Sequence, residues 1–546
     1  MLGKNMLLST LVGGLLLGAT LASPQPPLPD KCDRFLTQEL GRGAQEGTVV
    51  VILRYQDQLS PSQEAQLKAL QGDIYRRLPF IQSVAVRFPR KNLARVAALP
   101  FVNHLSSDLT VRKFDEYTVG ATGAGVAFQQ YGVTGAGVTV AVVDSGIYDH
   151  PDLRDPATGA SRVVGQASFV SPSLGGPDPY GHGTHVAGII SGNGAASRGP
   201  AYSRTFWGIA PQSKLVSVRV LDAVGSGDTS SVLAGIQWVL NNKARYNIRV
   251  MNLSLGHAVG EPYTTDPLCR AVETAWKAGI VVVCAAGNDG RQNPIALSAT
   301  SDNEGYGTAY GSVTSPGNDP YVLTVGAMKT SGGSRTQDRV ATYSGRGPSR
   351  LDFVMKPDIV APGNGIISLR RPLGSLDITN GPTNIVPPSA YYKNPSPLSY
   401  SSYFQLSGTS MAAPVVAGAA ALLLQANPNL SPDTVKARLM VTADKWLAPN
   451  GSADPCTFGA GYLNIPAALA SSIVPTTYAI SPILVRGATE GEMIITFDGE
   501  VAGTKAIWGT QALWGTKAIW GSSLWLDLDI LNILNVSALP KILAER

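Results

Sequence analysis

Cysteine is scarce: Cys32, Cys269, Cys284 and Cys456 are the only four in 546 residues. That scarcity excludes a disulfide-scaffold protein and leaves room for at most one bond beyond residue 116, for instance Cys269 with Cys456. Cys284, inside the apolar run VVVCAAGN, reads as a buried thiol rather than a ligand. Metal-ligand spacing of the zinc type is missing, so zinc catalysis has no support. Excess charge is missing too. With 43 basic against 38 acidic residues the formal net charge is +5, and no dense basic block stands out beyond pairs such as Arg76-Arg77. Nucleic acid is therefore not an expected partner.

Long apolar runs are few. One, Met6 to Gly18, follows a lone Lys4 and is closed by Thr20-Leu21-Ala22. It is shorter than the roughly 20 residues of a spanning helix, and a Pro-rich stretch follows at once, so residues 1–22 read as a cleaved export signal. No later segment reads as apolar enough to span a bilayer. A secreted, soluble mature protein, extracellular or associated with the cell surface, is expected.

The length implies more than one domain. Residues 31–116 alternate apolar runs (TVVVILRY, SVAVRF) with a helical pattern (SPSQEAQLKALQ), which predicts a small α+β unit. From Val138 the pattern changes. Strand candidates VTVAVVD, KLVSVRVL, RVMNLSLG, IVVVCAAG and YVLTVGA are almost continuously apolar, as strands buried on both faces are. They alternate with helix candidates such as HGTHVAGIISG, TSSVLAGIQWVLNNKA and SMAAPVVAGAAALLLQA. The predicted fold class is α/β, a mostly parallel sheet sandwiched by helices over 117–476, with chemistry where strands give way to loops.

Three segments place hydrolytic side chains at such points. Asp144 ends VAVVD, His182 opens the helix of GHGTHVAG, and Ser410 opens that of GTSMAAP, where unpaired backbone N–H groups and the helix dipole favour a developing negative charge. A serine hydroxyl needs a base to take its proton as it attacks, which His182 can be. Asp144 can hold the imidazole tautomer. The side-chain amide of Asn288 and the backbone N–H of Ser410 can donate to an oxyanion. Taken singly, each residue has a structural use as a strand cap, core histidine, N-cap or turn residue. Their joint occurrence in this order is what carries the reading.

The strings VVDSG, HGTHVAG, AAGN and GTSMAAP, in the chain order Asp, His, Asn, Ser, closely resemble the subtilisin-like serine peptidases over about residues 120–470. The resemblance implies a serine endopeptidase acting through an acyl-enzyme, with catalytic residues Asp144, His182, Ser410 and Asn288. It implies a groove in which an extended polypeptide substrate adds as a strand between Ser254-Leu255-Gly256 and Gly225-Ser226-Gly227. Ala285, Ala286 and Gly287 become a wall of the pocket for the residue before the scissile bond, and with no carboxylate in these walls a neutral, apolar preference is expected. The unit 31–116 resembles an inhibitory propeptide, a partner that blocks the groove until self-cleavage between Ser106 and Thr122. No cofactor is required for the chemistry. Asp152, in HPDL, matches a calcium ligand of many relatives, but the companion loop GNGAASRGPAYSRTFWG departs from the family, which leaves structural calcium open. His185 reads as a packing residue. Within the long stretch between Asn288 and Ser410, Tyr391, Tyr392 and Tyr403 are candidates to border the groove, and an exposed loop is the expectation.

The tail, 477–546, repeats GTKAIW from Gly503, GTQALW from Gly509 and GTKAIW from Gly515, then GSSLW, and holds four of the eight tryptophans. An even period keeps each Trp on one face of an extended strand. This stripe supports a rival reading, a retired peptidase fold that binds surfaces. An esterase sharing the triad is disfavoured because GxSxG is missing around Ser410.

Overall fold

The computed structural model describes residues 31–33, 36–37, 47–108, 117–170, 176–297, 302–332, 335–396, 398–446, 454–476, 478–486, 492–496 and 524–525. The expected export signal, part of the expected self-cleavage segment and nearly all of the Trp repeats lie outside them. Two compact units divide between Lys113 and Phe114.

In the first unit, β1 (Thr48–Tyr55), β2 (Asp73–Leu78), β3 (Ser83–Pro89) and β4 (Val102–Ser107) form an antiparallel sheet in the order β2-β3-β1-β4. Alternation places Val49, Val51, Leu53 and Tyr55 inward on β1, where they meet Val84, Val86 and Phe88. The helix Pro61–Ala69 starts in a capping box: Ser60 Oγ accepts from Gln63 N and the Gln63 side chain accepts from Ser60 N.

The second unit is built on β5 (Thr139–Asp144), β6 (Val163–Ser168), β7 (Lys214–Arg219), β8 (Ile248–Leu253), β9 (Val281–Ala285), β10 (Leu323–Lys329), β11 (Arg339–Val340) and β12 (Ile359–Asn364). Their order is β11-β10-β9-β8-β5-β7-β6, with β12 on β10, and all pairings are parallel except β10 with β11. Strand β5 is central, and all six of its residues are buried, as its unbroken apolar pattern requires. Helices Thr229–Tyr246 and Pro267–Lys277 pack on each other and on the sheet. Helix Thr409–Ala426 packs on helix His182–Ser191 and on β8, β9, β10 and β12.

Thr409–Ala426 corrects one expectation. It is long and apolar enough to cross a membrane, but 83% of it is buried inside the unit, the burial that a helix apolar on all sides needs. A second correction concerns sulfur, for all four cysteines are free. Cys269 Sγ instead lies 3.2 Å from Asn318 Oδ1 and 3.8 Å from Ser315 Oγ. The start of the expected tail also belongs to this core. Ala479 and Leu484 are buried in it, and Ser481 Oγ donates to Asp358, whose carboxylate is paired at 2.7 Å with Lys356 and at 3.3 Å with Lys436, all fully buried. Beyond these residues β15 (Ile483–Arg486) pairs antiparallel with β16 (Glu492–Thr496), and β16 with Leu524–Trp525.

Candidate active site

The carboxyl end of β5 delivers Asp144, fully buried, beside the first residue of helix His182–Ser191. His182 Nδ1 lies 2.9 and 3.0 Å from the two Asp144 oxygens, and Ser145 N donates to Asp144 Oδ1 at 2.7 Å. A carboxylate only accepts, so Nδ1 carries the proton and Nε2 is left as the basic nitrogen. Close approach depends on Gly183: a Cβ there would fall 2.2 Å from the Gly146 carbonyl oxygen and 3.1 Å from Asp144 Oδ1.

Asp178, which the sequence reading missed, holds this junction. Its buried carboxylate accepts from Gly181 N, Thr184 N, Thr184 Oγ1 and Ser145 Oγ, satisfying N–H groups that the helix start leaves unpaired. The signal was present as DPYGH, an acid four residues ahead of the first residue of a helix. Burial alone would push the His182 imidazole down, but the charge and hydrogen bond of Asp144, with Asp178 behind, outweigh it, and the net shift is upward. His185, by contrast, is buried with Nε2 3.0 Å from the Phe404 carbonyl, and burial with the nearby His182 charge holds it down to about 3. It is a neutral packing residue.

Ser410 is the second residue of helix Thr409–Ala426. Pro414 lies four residues further on and has no N–H to offer the Ser410 carbonyl. That carbonyl instead accepts from Ser254 Oγ at 2.8 Å, which ties the helix start to the end of β8. The Ser410 hydroxyl is turned to the Ser254 carbonyl, 3.2 Å away, and among the described hydrogen bonds none joins it to His182. Catalytic hydrogen bonds are often loose without substrate, and one χ1 rotation redirects the oxygen. Asn288 is oriented by Thr409, whose N and Oγ1 donate to its Oδ1 at 2.9 and 3.1 Å. Its Nδ2 is thereby left free to donate. Asn288 Nδ2 and Ser410 N lie 3.5 and 3.6 Å from the point where a Cβ on Gly408 would stand, so both donors border the space glycine leaves open there.

His182, Gly225-Ser226-Gly227 and Ser254-Leu255-Gly256 line one cleft of about 410 Å³, with Tyr180, Leu221 and Leu268 among the others. Ala286 and Gly287 do not line it. Ala286 is fully buried at the strand end, and Gly287, at φ +97°, donates to Thr409 Oγ1 and packs on Thr314. Tyr180 carried no signal in the sequence. Its ring lies 6.3 Å from the imidazole and so close to Gly225 that a Cβ there would be 2.5 Å from Tyr180 Cε1.

The insertion before Ser410 meets the His182 segment through backbone bonds from Ser375 N to Pro179 O and Leu376 N to Tyr180 O. Neither expectation for its tyrosines holds: Tyr391 and Tyr403 are buried in an aromatic cluster with Phe206. Residues this apolar are worth more packed together than spread over a loop.

A subtilase family model matches residues 135–461. The chain is 40% identical over 342 residues to serine protease AprX of Bacillus subtilis, a stretch covering 61% of this chain and 66% of that protein. It is 32% identical over 403 residues to subtilisin E of Bacillus subtilis, covering 73% and 83% of the two chains. With subtilisin Savinase of Lederbergia lenta it shares 34% over 337 residues, 62% of this chain and 92% of the other.

Proposed function

The chain belongs to the subtilase family, and on that premise we propose that it is a secreted serine endopeptidase, made as a self-processing zymogen, whose chemistry is carried by Asp144, His182, Ser410 and Asn288. The observation that carries the reading is the buried carboxylate on His182 Nδ1, with Ser410 at a helix start and the Asn288 amide turned to donate. Ser410 Oγ attacks the scissile carbonyl carbon as its proton passes to His182 Nε2. The carbonyl oxygen becomes the oxyanion held by Asn288 Nδ2 and Ser410 N–H. Collapse breaks the C–N bond, and the imidazolium returns the proton to the leaving amine. Water then hydrolyses the acyl-enzyme by the same steps in reverse order of partners.

Polypeptide substrates suit the facing rims 225–227 and 254–256, which offer backbone groups to an extended chain. Apolar side chains suit the cleft, because Leu221, Val232, Leu255 and Leu268 line it and no Asp or Glu does among the described residues. Treatment of purified wild type with a serine-directed covalent inhibitor, read by intact mass, tests the assignment: a single adduct on Ser410 and loss of caseinolysis are expected. An unlabelled, inactive protein would refute it. The same mass measurement tests the zymogen, since wild type should shed residues up to a point between Ser106 and Thr122 and Ser410→Ala should not.

Two further outcomes follow from the geometry. The base must be neutral to accept a proton, and the His182 shift is upward. Activity should therefore fall as pH drops through a value above the ordinary histidine pKa of about 6.5, and kcat/KM plotted against pH checks it. Asp144→Asn should remove the upward displacement of whatever acid limb remains. Tyr180 narrows the cleft beside the imidazole. Tyr180→Ala should raise the kcat/KM of peptides with Leu at the second position before the scissile bond by roughly 10-fold relative to those with Ala there, and an unchanged ratio would mean that the ring restricts nothing.

A further inference from the structure

Asp152 is the residue whose position in the family pattern suggests a calcium ligand, and its surroundings do not fit an ion. Calcium takes about six to eight oxygen ligands at short range. Both Asp152 oxygens instead face hydrogens: Oδ1 accepts from Ala196 N at 2.7 Å and Oδ2 from the Tyr403 hydroxyl at 2.8 Å. The neighbouring His150 is neutral in its geometry, because Nδ1 accepts from Asp152 N at 3.1 Å and Nε2 donates to the Ser402 carbonyl at 3.1 Å. Among the described residues no group of three His, Cys, Asp or Glu side chains could hold a metal.

Positive charge is nevertheless present. The buried Arg162 guanidinium donates to the main-chain oxygens of Asp152 and Ser213, each at 2.7 Å, and to both the carbonyl and the hydroxyl of Ser191. Ser191 is the last residue of helix His182–Ser191, where the dipole favours a cation. One side chain thus joins three separate stretches around the loop that leaves the helix.

The loop's far side is strapped by the insertion that follows β13 (Ile366–Leu369) and returns as β14 (Tyr403–Leu406). Ser203 N donates to Tyr391 O at 2.8 Å and Lys393 N to Ala201 O at 2.9 Å. Tyr202 stacks on Tyr391 with centroids 6.1 Å apart, and Phe206 meets Tyr403 edge-on at 4.7 Å. Tyr403 Oη also lies 2.7 Å from Ser197 Oγ, inside the loop.

We infer that in this chain the loop 193–206 is held without a calcium ion, by the aromatic strap through Tyr403 on the loop itself and by Arg162 on the flanking stretches at Asp152, Ser191 and Ser213. The insertion between β13 and β14, which the catalytic reading does not use, acquires a role: it delivers Tyr403, the first residue of β14, whose hydroxyl meets the hydrogen-bonding demand of Asp152. The inference concerns stability and does not depend on which residues perform catalysis.

The test is thermal unfolding of the full-length Ser410→Ala protein, which cannot digest itself, followed by circular dichroism with EDTA or with added calcium chloride. The midpoint is expected to move by less than about 2 °C between the two. Tyr403→Phe in that background leaves a buried carboxylate oxygen unpaired and should lower the midpoint by roughly 3–8 °C, with no recovery on adding calcium. Arg162→Met should lower it at least as far, and if that variant does not fold, Tyr403→Phe alone carries the test. A calcium-dependent rise that Asp152→Asn abolishes would overturn the inference, as would a Tyr403→Phe midpoint equal to the parent's. A calcium effect that survives Asp152→Asn arises elsewhere and, beside the Tyr403→Phe loss, supports it.

Discussion

Ser410→Ala should lower kcat on peptide substrates by on the order of 10⁶-fold while leaving the melting of the second unit, from Phe114 onward, nearly unchanged. The magnitude is carried over from triad removal in subtilisin, a relative, and the second half of the expectation comes from this structure. Among the described residues Ser410 Oγ makes one hydrogen bond, to the Ser254 carbonyl at 3.2 Å, and the helix start is tied independently by Ser254 Oγ on the Ser410 carbonyl. Deleting the hydroxyl removes the nucleophile but no cap. Residual activity within about 100-fold of wild type would mean that another residue attacks. The oxyanion donors, Asn288 Nδ2 and Ser410 N–H, survive the substitution, so a small rate above the uncatalysed one should remain.

Asp144→Asn is expected to cost about 10⁴-fold in kcat, with KM much less affected. The carboxylate receives two close contacts from His182 Nδ1, and Ser145 N donates to Oδ1. An asparagine there satisfies the Ser145 N–H with its oxygen and turns its NH₂ toward the ring. The imidazole must then accept at Nδ1 and carry its proton on Nε2, where the serine proton should go. The shape of the site is kept and the tautomer is wrong. A pH–rate profile separates the two effects, because a merely structural loss would scale activity at all pH values alike. If kcat falls by less than about 10-fold, the carboxylate does not set the tautomer.

The residues that could be named from the string alone share a property: their chemistry is announced by their nearest neighbours. Asp144 closes an unbroken apolar strand, His182 directly follows a glycine at a helix start and Ser410 stands two residues after one, so strand-end and helix-start physics place them without any knowledge of the rest of the chain. The roles that could not be read from the string depend on distant partners. Tyr403 reaches Asp152 across 251 positions and Arg162 reaches Ser213 across 51, and nothing beside either residue announces the meeting. Tyr180 looks like any loop tyrosine until Gly225 is found against its ring.

By itself the chain's order of residues determined the α/β class, the positions of β5 and the two helix starts, and the types of side chain that meet there, because periodicity, capping and glycine placement are local effects. Only the tertiary structure decided which nitrogen of His182 is protonated, which way the Asn288 amide points, that Ser481 belongs to the core and that Asp152 is answered by a tyrosine rather than left for an ion. Those outcomes depend on hydrogen-bond geometry and burial between segments far apart in the chain, and such distances do not exist until the chain has folded.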